Sequence, residues 1–433
     1  MYSNSIFKIL NLYQIWIPKN FGQQMRTRLL VTKMDVPLKV MVGNIFAIVN
    51  LVVWYTYASA ILRDVIDEIC FNYYEKLTLY AILFLSAVVS ILVSASFVNK
   101  LTHRRCFLLA WNLIGVLSSL ALMTLETATV SILSFLLTLV GVSFGLGLPI
   151  CMANFADITK EENRARFGSI VILFIFLGIL VFEFIMSANL FLNIIVLIVW
   201  RFLGLVGTLL VSTLLENKEQ KESPSILSLF KERTVLLYLV PWTAFSIVNY
   251  LGWPINSKIH GEDFVRFSIL TNNVIAGIFA IIAGFAADNI GRKRTLIGGF
   301  IIFGIGYAVL GINPFNIYTW YFYTFVDGVA WGIFYVIFFF AIWGDLAHRR
   351  SSEKYYAIGI LPYSFSGFLR VALSPLIINT VSEYAIFSFA AFFLFLAVIP
   401  LMFAPETLPE KKLRERELKK YIEKAKKIKE KYV

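Results

Sequence analysis

The feature that most constrains the fold of this chain is a series of long apolar runs separated by short polar segments. A helix of about 20 apolar residues can span the hydrocarbon core of a bilayer, because its backbone groups bond to one another. Only 15% of the 433 residues are charged, whereas a soluble protein has about a quarter. The sequence therefore predicts an all-α membrane protein with twelve transmembrane helices. The predicted spans are 39–61, 76–98, 106–125, 130–154, 167–188, 190–214, 235–256, 265–287, 295–312, 317–344, 355–379 and 384–404.

The second half of the chain repeats the first. The triplet IVN, followed four residues after its asparagine by tryptophan, occurs at Asn50 and Trp54 and again at Asn249 and Trp253. The GVSFG of the fourth run has its counterpart in the GVAWG of the tenth. Two pseudo-symmetric six-helix halves with a site between them are typical of alternating-access carriers. The predicted divisions are an N-terminal cytoplasmic segment (1–38), a first half (39–214), a central cytoplasmic loop (215–234), a second half (235–406) and a basic cytoplasmic tail (407–433).

The distribution of Lys and Arg predicts the orientation. Most of the 39 basic residues lie in the segments that share a side with the two termini, and basic residues resist translocation. We therefore expect a multi-pass protein of the cell membrane with both termini in the cytoplasm, contacting lipid head groups and acting as a monomer. The net charge of +12 is then a topology signal and does not indicate nucleic-acid binding.

The chemistry-bearing residues do not cluster. The three cysteines and three histidines have neither metal-ligand nor redox spacing, and none of them forms a nucleophile–base pair. The sequence therefore predicts no catalytic residues, no metal, no cofactor and no enzymatic activity.

Three polar segments carry a resemblance to a known family. GFAADNIGRKR, which follows the eighth run, resembles the signature loop of the major facilitator superfamily, and ADITKEENRARFG resembles the loop after the fourth helix of that family. The APET segment after the last run is similar to the ending of its sugar-porter branch. The resemblance covers nearly the whole chain. It implies a secondary transporter that moves a small organic solute, with the first, fourth, seventh and tenth helices lining the cavity.

The charged loop after the eighth run predicts a gating latch. Gly284 allows a neighbouring helix to approach, and Asp288 can accept hydrogen bonds from backbone N–H groups that open a helix of the other half. Gly291 suits a tight turn, and Arg292 can pair with Asp345 at the end of the tenth run. The alternative is that the basic triplet only anchors the loop to anionic lipids. The predicted latch is completed by Arg294 and by Asp157, which occupies in the first half the position of Asp345.

Four ionisable residues lie within the predicted spans: Glu183, Arg201, Asp327 and Arg370. Such residues are costly in hydrocarbon, so they are candidates for function. They can also form two structural ion pairs, Glu183 with Arg201 and Asp327 with Arg370. Asp327 and Glu183 are the candidates for proton coupling, and Arg201 is expected to be structural.

The predicted pocket is rich in amides and aromatic rings. Amides make directed hydrogen bonds and flat rings cover C–H faces, which together suit a sugar or another polar, uncharged solute. The same amides can instead bond between helices. Two other functions stay open: a proton-coupled exporter of lipophilic compounds and a transporter-like receptor without flux. The predicted pocket residues are Asn50, Trp54, Trp242, Asn249, Trp253, Asn272, Asn273, Asp327, Trp331, Tyr363 and Arg370.

Overall fold

The structure, a computed structural model, describes residues 38–408 except 70–71, 99–103, 188, 213–221 and 349, together with 418 and 422. The predicted N-terminal segment, most of the central loop and nearly all of the basic tail lie outside the described residues. Every regular element among the described residues is helical, which confirms the predicted all-α class. In chain order the helices of the first half are α1 (Leu38–Ile69), α2 (Tyr73–Phe97), α3 (Arg104–Ala121), α4 (Val130–Ile158), α5 (Arg164–Ile185) and α6 (Leu190–Ser212).

A single helical turn, Ile226–Leu229, precedes the second half. The next helix runs through 58 residues, Arg233–Ile290, and its backbone leaves helical geometry at Gly261, where φ is 77°. At 1.5 Å per residue such a run would be about 87 Å long, nearly three times the thickness of a bilayer core. Gly261 therefore divides it into two spans, α7 (233–260) and α8 (262–290).

The remaining helices of the second half are α9 (Arg292–Ile312), α10, α11 (Glu353–Thr380) and α12. Helix α10 has three consecutive segments: an α-helical segment, Ile317–Phe334, a π-helical segment, Tyr335–Ala341, and a final α-helical segment, Ile342–Ala347. Helix α12 comprises Glu383–Leu396 and Val398–Phe403. Eleven segments of the described chain are long and apolar enough to cross a membrane. The break at Gly261 makes α7 the twelfth.

The glycines of the internal repeat produce the same helix crossing in each half. A Cβ added at Gly145 would lie 2.4 Å from the carbonyl oxygen of Ala87, so α4 packs directly on α2. A Cβ added at Gly332 would lie 2.8 Å from the carbonyl oxygen of Ala276, so α10 packs in the same way on α8. Small residues let helix backbones approach in a membrane, and here they fix equivalent pairs.

Two of the helix pairs that join the halves are related by the repeat. Helix α5 packs on α8, where Gly277 lies against Phe176. Helix α2 packs on α11, where the rings of Phe84 and Phe368 stack at 5.1 Å between centroids. The Tyr73 hydroxyl also donates to the carbonyl oxygen of Ala372 at 2.7 Å. Because α2 corresponds to α8 and α5 to α11 in the repeat, these two contacts are related by the pseudo-symmetry.

Candidate transport cavity and charged latch

Asp345 is the centre of a buried ionic cluster at one end of the molecule, here called the latch end. Its side chain is fully buried near the end of α10, and its Oδ2 lies 2.6 Å from Nε of Arg292. Arg164, at the start of α5, donates from Nη1 to the other carboxylate oxygen of Asp345. The hydroxyl of Thr407 donates to Oδ2 at 3.0 Å. A carboxylate removed from water is stable only when such partners replace its hydration, and here one of them comes from the other half.

Asp288 makes the second ionic contact between the halves. Its Oδ2 accepts from the backbone N–H of Arg166 at 3.0 Å and from Nε of the same residue at 3.1 Å. Nη2 of Arg292 lies 3.3 Å from Oδ1 of Asp288. Arg166 lies in the first turn of α5, where free N–H groups and the helix dipole favour an anion.

The backbone around these charges is held by Glu406. Its carboxylate accepts from the N–H groups of Arg292 at 2.9 Å and of Lys293 at 3.2 Å, and so caps α9. Gly291 precedes them with φ of 118°, a conformation that favours glycine. Near by, a Cβ at Gly284 would lie only 2.8 Å from the carbonyl oxygen of Ala165, so the backbones of α8 and α5 are in close contact there.

The structure therefore brings together Gly284, Asp288, Arg292 and Asp345 in one cluster, with Gly291 at the turn beside them. Of the other predicted latch residues, Arg294 is exposed on α9 and Asp157 is half-buried at the end of α4. Sequence reasoning missed Arg164, Arg166 and Glu406 as partners. The available signal was the RAR triplet in a loop already assigned to the latch end, together with the acid of the APET segment.

A cavity of about 580 Å³ lies between the two halves. Its wall extends from Phe340, close to the latch end, to Arg63, which is exposed at the opposite end of α1. The cavity thus reaches the surface at the end away from the latch. Helices α1, α2, α4, α5, α7, α8, α10 and α11 all contribute to its wall. A volume of this size is within the range of small-molecule sites.

The polar groups of the wall concentrate on the second half. Asp327 accepts a hydrogen bond from Nδ2 of Asn272 at 2.6 Å, and it makes no ion pair within the described part of the chain. Asn249 is buried in the wall, and its Oδ1 has no hydrogen-bond partner among the described residues. Asn273 also lines the cavity. Directed donors and acceptors therefore face the cavity from α7, α8 and α10.

Aromatic rings cover the other walls. Trp331 stacks on Tyr335 at 4.5 Å between centroids, and Tyr363 meets Tyr250 at 5.8 Å. From the first half, Tyr55 stacks on Phe144 at 3.8 Å. The predicted pocket residues that line the cavity are Asn249, Asn272, Asn273, Asp327, Trp331, Tyr363 and Arg370, with Glu183 among the proton-coupling candidates.

The placement of Asn50 and Trp54 in this pocket is corrected by the structure. Both are fully buried inside the first half and do not line the cavity. Asn50 donates to the carbonyl oxygen of Trp200 and accepts from Nη1 of Arg201 at 3.0 Å. Trp54 donates to the hydroxyl of Ser119 at 2.7 Å. These residues bond between helices, which was the alternative considered for the amides.

Trp242 is also misplaced by the sequence prediction. It is fully buried within the second half, donates to the carbonyl oxygen of Gly359 at 2.7 Å and stacks on Phe338 at 4.7 Å. Of these two predicted pocket residues on α7, Trp242 is thus buried in the second half, and Asn249, two turns later, reaches the cavity. The side chain of Trp253 lies outside the described residues.

The expected ion pairs within the membrane are replaced by other contacts. Glu183 binds Nη2 of Arg266 at 2.6 Å, so its predicted pairing with Arg201 is wrong. Arg201 instead lies between two indole rings, at 5.1 Å from Trp54 and 4.7 Å from Trp111. Cation–π contacts of this kind partly replace a counter-ion.

Arg370 lines the cavity, but its expected ion pair with Asp327 is not formed. Asp327 takes Asn272 as its partner, and the guanidinium of Arg370 lies over the ring of Tyr250 at 5.6 Å. The position of a residue along its helix does not fix the direction in which its side chain points.

Two pseudo-symmetric helical halves, a cavity between them and an ionic cluster that joins them at one end define a membrane transporter fold. A family model described as Major Facilitator Superfamily matches residues 234–431. No curated protein matches the chain in sequence.

Solved structures share the fold across most of the chain. A bacterial homologue of the iron transporter ferroportin, in an outward-facing state, superposes with a TM-score of 0.65 at 13% identity, over 84% of this chain and 98% of that one. The fucose:proton symporter FucP of E. coli gives 0.64 at 11% identity, with the same coverages. The proton:xylose symporter XylE, bound to 6-bromo-6-deoxy-D-glucose, gives 0.60 at 15% identity, over 85% of this chain and 96% of that one. The second half of the chain thus matches the sequence model of this superfamily, and most of the chain shares the fold of these solved transporters.

Proposed function

We propose that the chain is a secondary active transporter that carries a small polar organic solute across the cell membrane by alternating access. The latch end is the cytoplasmic end, because most of the Lys and Arg lie on that side. The two termini are then also cytoplasmic.

One observation carries this proposal: the cavity reaches the surface at one end while buried ion pairs between the halves close the other. Asp345 with Arg164, and Asp288 with Arg166, must separate before a solute can leave through the latch end. A molecule with these features can expose its cavity alternately to the two sides, as two-half carriers do.

Asp327 is the proposed proton site. It faces the cavity, and the amide of Asn272 donates a hydrogen bond to it. A carboxyl group in the cavity wall without a basic partner can exchange a proton with the solution that fills the cavity. Glu183 is the weaker candidate, because Arg266 already binds it.

The chemistry of the wall supports a polar solute, with a sugar as one class. Asn249, Asn272 and Asn273 offer directed hydrogen bonds beside the rings of Trp331 and Tyr363. Two of the fold relatives are described as sugar:proton symporters and one as a homologue of an iron transporter. A second candidate, an exporter of lipophilic compounds, is favoured by the phenylalanine-rich part of the wall, which includes Phe84, Phe144, Phe176, Phe339 and Phe340.

The test uses purified protein in liposomes and measures uptake of labelled sugars, organic acids and lipophilic cations with and without an inward proton gradient. Asp327→Asn keeps the shape of the side chain and removes the exchangeable proton. We expect it to abolish gradient-driven uptake, whereas the control Glu126→Gln, which changes an exposed acid after α3, keeps it. Uptake that changes neither with the proton gradient nor in Asp327→Asn would refute proton coupling. No flux at all from folded, correctly oriented protein would favour a receptor.

A further inference from the structure

Four polar residues of the second half meet where α8 crosses α10. Ser268 and Asn272 are one helical turn apart on α8, so they share a face of that helix. Thr324 and Asp327 are one turn apart on α10. The hydroxyl oxygens of Ser268 and Thr324 lie 3.4 Å apart, and Nδ2 of Asn272 lies 2.6 Å from Oδ2 of Asp327. All four residues line the cavity, so the crossing presents a group of oxygen atoms to whatever enters it.

The fold does not require polar residues at such a crossing. A Cβ added at Gly328 of α10 would lie 3.1 Å from the carbonyl oxygen of Asn272 on α8. In the first half, a Cβ added at Gly141 of α4 would lie 2.9 Å from the carbonyl oxygen of Leu83 on α2, so the two crossings are equivalent. The positions of the four polar residues are occupied there by aliphatic side chains: Leu79, Leu83, Leu137 and Val140. Helix packing therefore does not explain the polar set, and a ligand does.

The spacing of the two hydroxyl groups suits a metal ion. Hydrogen-bonded hydroxyl oxygens usually lie about 2.5–3.0 Å apart, so the 3.4 Å between Ser268 and Thr324 is long for such a bond. Two oxygens that bind one cation at about 2.4 Å, at a right angle to each other, are roughly 3.4 Å apart. The observed separation is thus that of two ligands of one small, hard cation.

Asp327 supplies the charge that such an ion requires. Its Oδ2 is held by Asn272, whereas its Oδ1 is buried and has no hydrogen-bond partner among the described residues. The indole of Trp331, one turn further along α10, is the other donor near this carboxyl group. No Lys, Arg or His in the described part of the chain is among the groups that act on it. A carboxylate in such a place is stable only with a positive charge beside it, and the cavity is the route by which one can arrive.

We infer that Asp327, Ser268 and Thr324 bind a sodium ion, which competes with a proton for the carboxylate. The inference rests on the proposed role of Asp327 as a proton site and extends that role to a metal ion. Carboxylate and hydroxyl oxygens are ligands that hard cations prefer. One carboxylate balances one positive charge, so the site suits a monovalent ion and not Ca²⁺, whose protein sites usually contain several carboxylates.

The competition depends on Asp327 alone, because its titratable neighbours stay neutral. The groups on which it acts are the phenols of Tyr307 on α9 and of Tyr323 and Tyr335 on α10, which are uncharged near neutral pH. Four further groups in or near the cavity wall are not among those that act on it in the described part of the chain: Arg63, Glu183, His260 and Arg370. Sodium binding should therefore weaken as the pH falls and the carboxylate takes up a proton.

The experiment measures ion binding by the purified protein in sodium-free buffer. NaCl, KCl, methylammonium chloride and choline chloride are titrated at constant ionic strength, and the melting temperature and the binding of radioactive Na⁺ are measured at acidic and at mildly alkaline pH. Asp327→Asn, Ser268→Ala and Thr324→Val each remove one ligand. The matched controls are Ser366→Ala and Thr243→Val, which remove hydroxyl groups of the second half that lie outside the cavity wall and bond within their own helices.

We expect Na⁺ to bind and to raise the melting temperature at mildly alkaline pH, more weakly at acidic pH, whereas K⁺, methylammonium and choline leave it unchanged. Ser268→Ala and Thr324→Val should weaken Na⁺ binding by about 10-fold or more, as the loss of groups at a metal site does. Asp327→Asn should abolish both the binding and its pH dependence, and the two control variants should keep both.

Equal effects of Na⁺, K⁺ and choline on the unchanged protein would overturn the inference, and this comparison does not depend on the folding of any variant. Stabilisation by methylammonium in place of Na⁺, lost in Asp327→Asn but kept in Thr324→Val, would assign the carboxylate to an amine of the solute and would overturn it as well. Uptake driven by a proton gradient in a protein that binds no Na⁺ would overturn the inference and leave the proposed function intact. Na⁺ binding without flux of any solute would support the inference and count against the proposed function.

Discussion

Gly284→Ala should weaken closure of the latch end without unfolding the protein. A Cβ at this position would lie 2.6 Å from Oγ and 2.7 Å from Cβ of Ser169, and 2.8 Å from the carbonyl oxygen of Ala165. Ordinary contact begins at 3.4 Å, so α5 and α8 would have to separate by roughly 0.6 to 0.8 Å. Two of the three atoms are close to or part of the backbone of α5 and cannot rotate away.

The magnitude follows from the location of this contact. Overpacking a tight interface costs about 1–3 kcal/mol, and here the interface joins two halves that part when the latch opens. The cost therefore falls on the closed conformation alone and corresponds to a shift of about 5- to 150-fold in the ratio of open to closed molecules.

The assay measures distances between spin labels at the latch end. One label occupies the native, exposed Cys106 at the start of α3, and the other an introduced cysteine at Lys231, with the two other cysteines replaced. The control is Gly298→Ala on α9, where an added Cβ meets no atom within 4 Å. Unchanged populations in Gly284→Ala, or a lowered melting temperature with unchanged populations, would refute the assignment of this contact to the closed state.

Three further variants test the ionic contacts. Arg164→Gln removes a charged hydrogen bond to Asp345, worth about 1.5–3 kcal/mol, and should raise the open population in the same spin-label assay. An open population equal to that of the control Gly298→Ala would contradict the role of this pair. Arg266→Gln should leave uptake nearly unchanged, because the pair with Glu183 is exposed and screened by water and salt; a large loss of flux would show otherwise. Glu406→Ala removes the cap of α9, worth about 1 kcal/mol, and should speed hydrogen exchange at the first amides of this helix. Exchange at these amides as slow as in the unchanged protein would contradict the capping.

The large-scale architecture could be predicted because it depends on local and repeated features. Apolar run length determines the number of spans, and the glycines of the repeat determine equivalent helix crossings. The contact between Arg292 and Asp345 could also be predicted, since Arg292 begins α9 and Asp345 lies near the end of α10, both on the same side of the membrane.

The residues that line the cavity were harder to predict from the sequence, for a physical reason. A helix in the middle of a bundle has neighbours on all sides, and periodicity identifies a polar face without naming the helix or the space that it meets. Asn50 and Asn249 occupy equivalent positions in the repeat, yet Asn50 meets Arg201 on α6 whereas Asn249 faces the cavity. In the first half the guanidinium of Arg201 is buried next to this position. A buried charged donor requires a hydrogen-bond acceptor, so the amide of Asn50 is turned towards it.

The arginines of the latch are divided between the two halves, so substitutions of arginines in different halves should affect different conformations. Asp288 and Asp345 both bind Arg292, which belongs to the same half as these two acids. The arginines that bind them from the other half are Arg164 and Arg166. When the halves part, neither acid loses its last cation, and the second half keeps its portion of the cluster assembled for the next closure. Defects in Arg166 should therefore affect one conformation only, whereas defects in Arg292 should affect every stage of the cycle, including the folding of the protein.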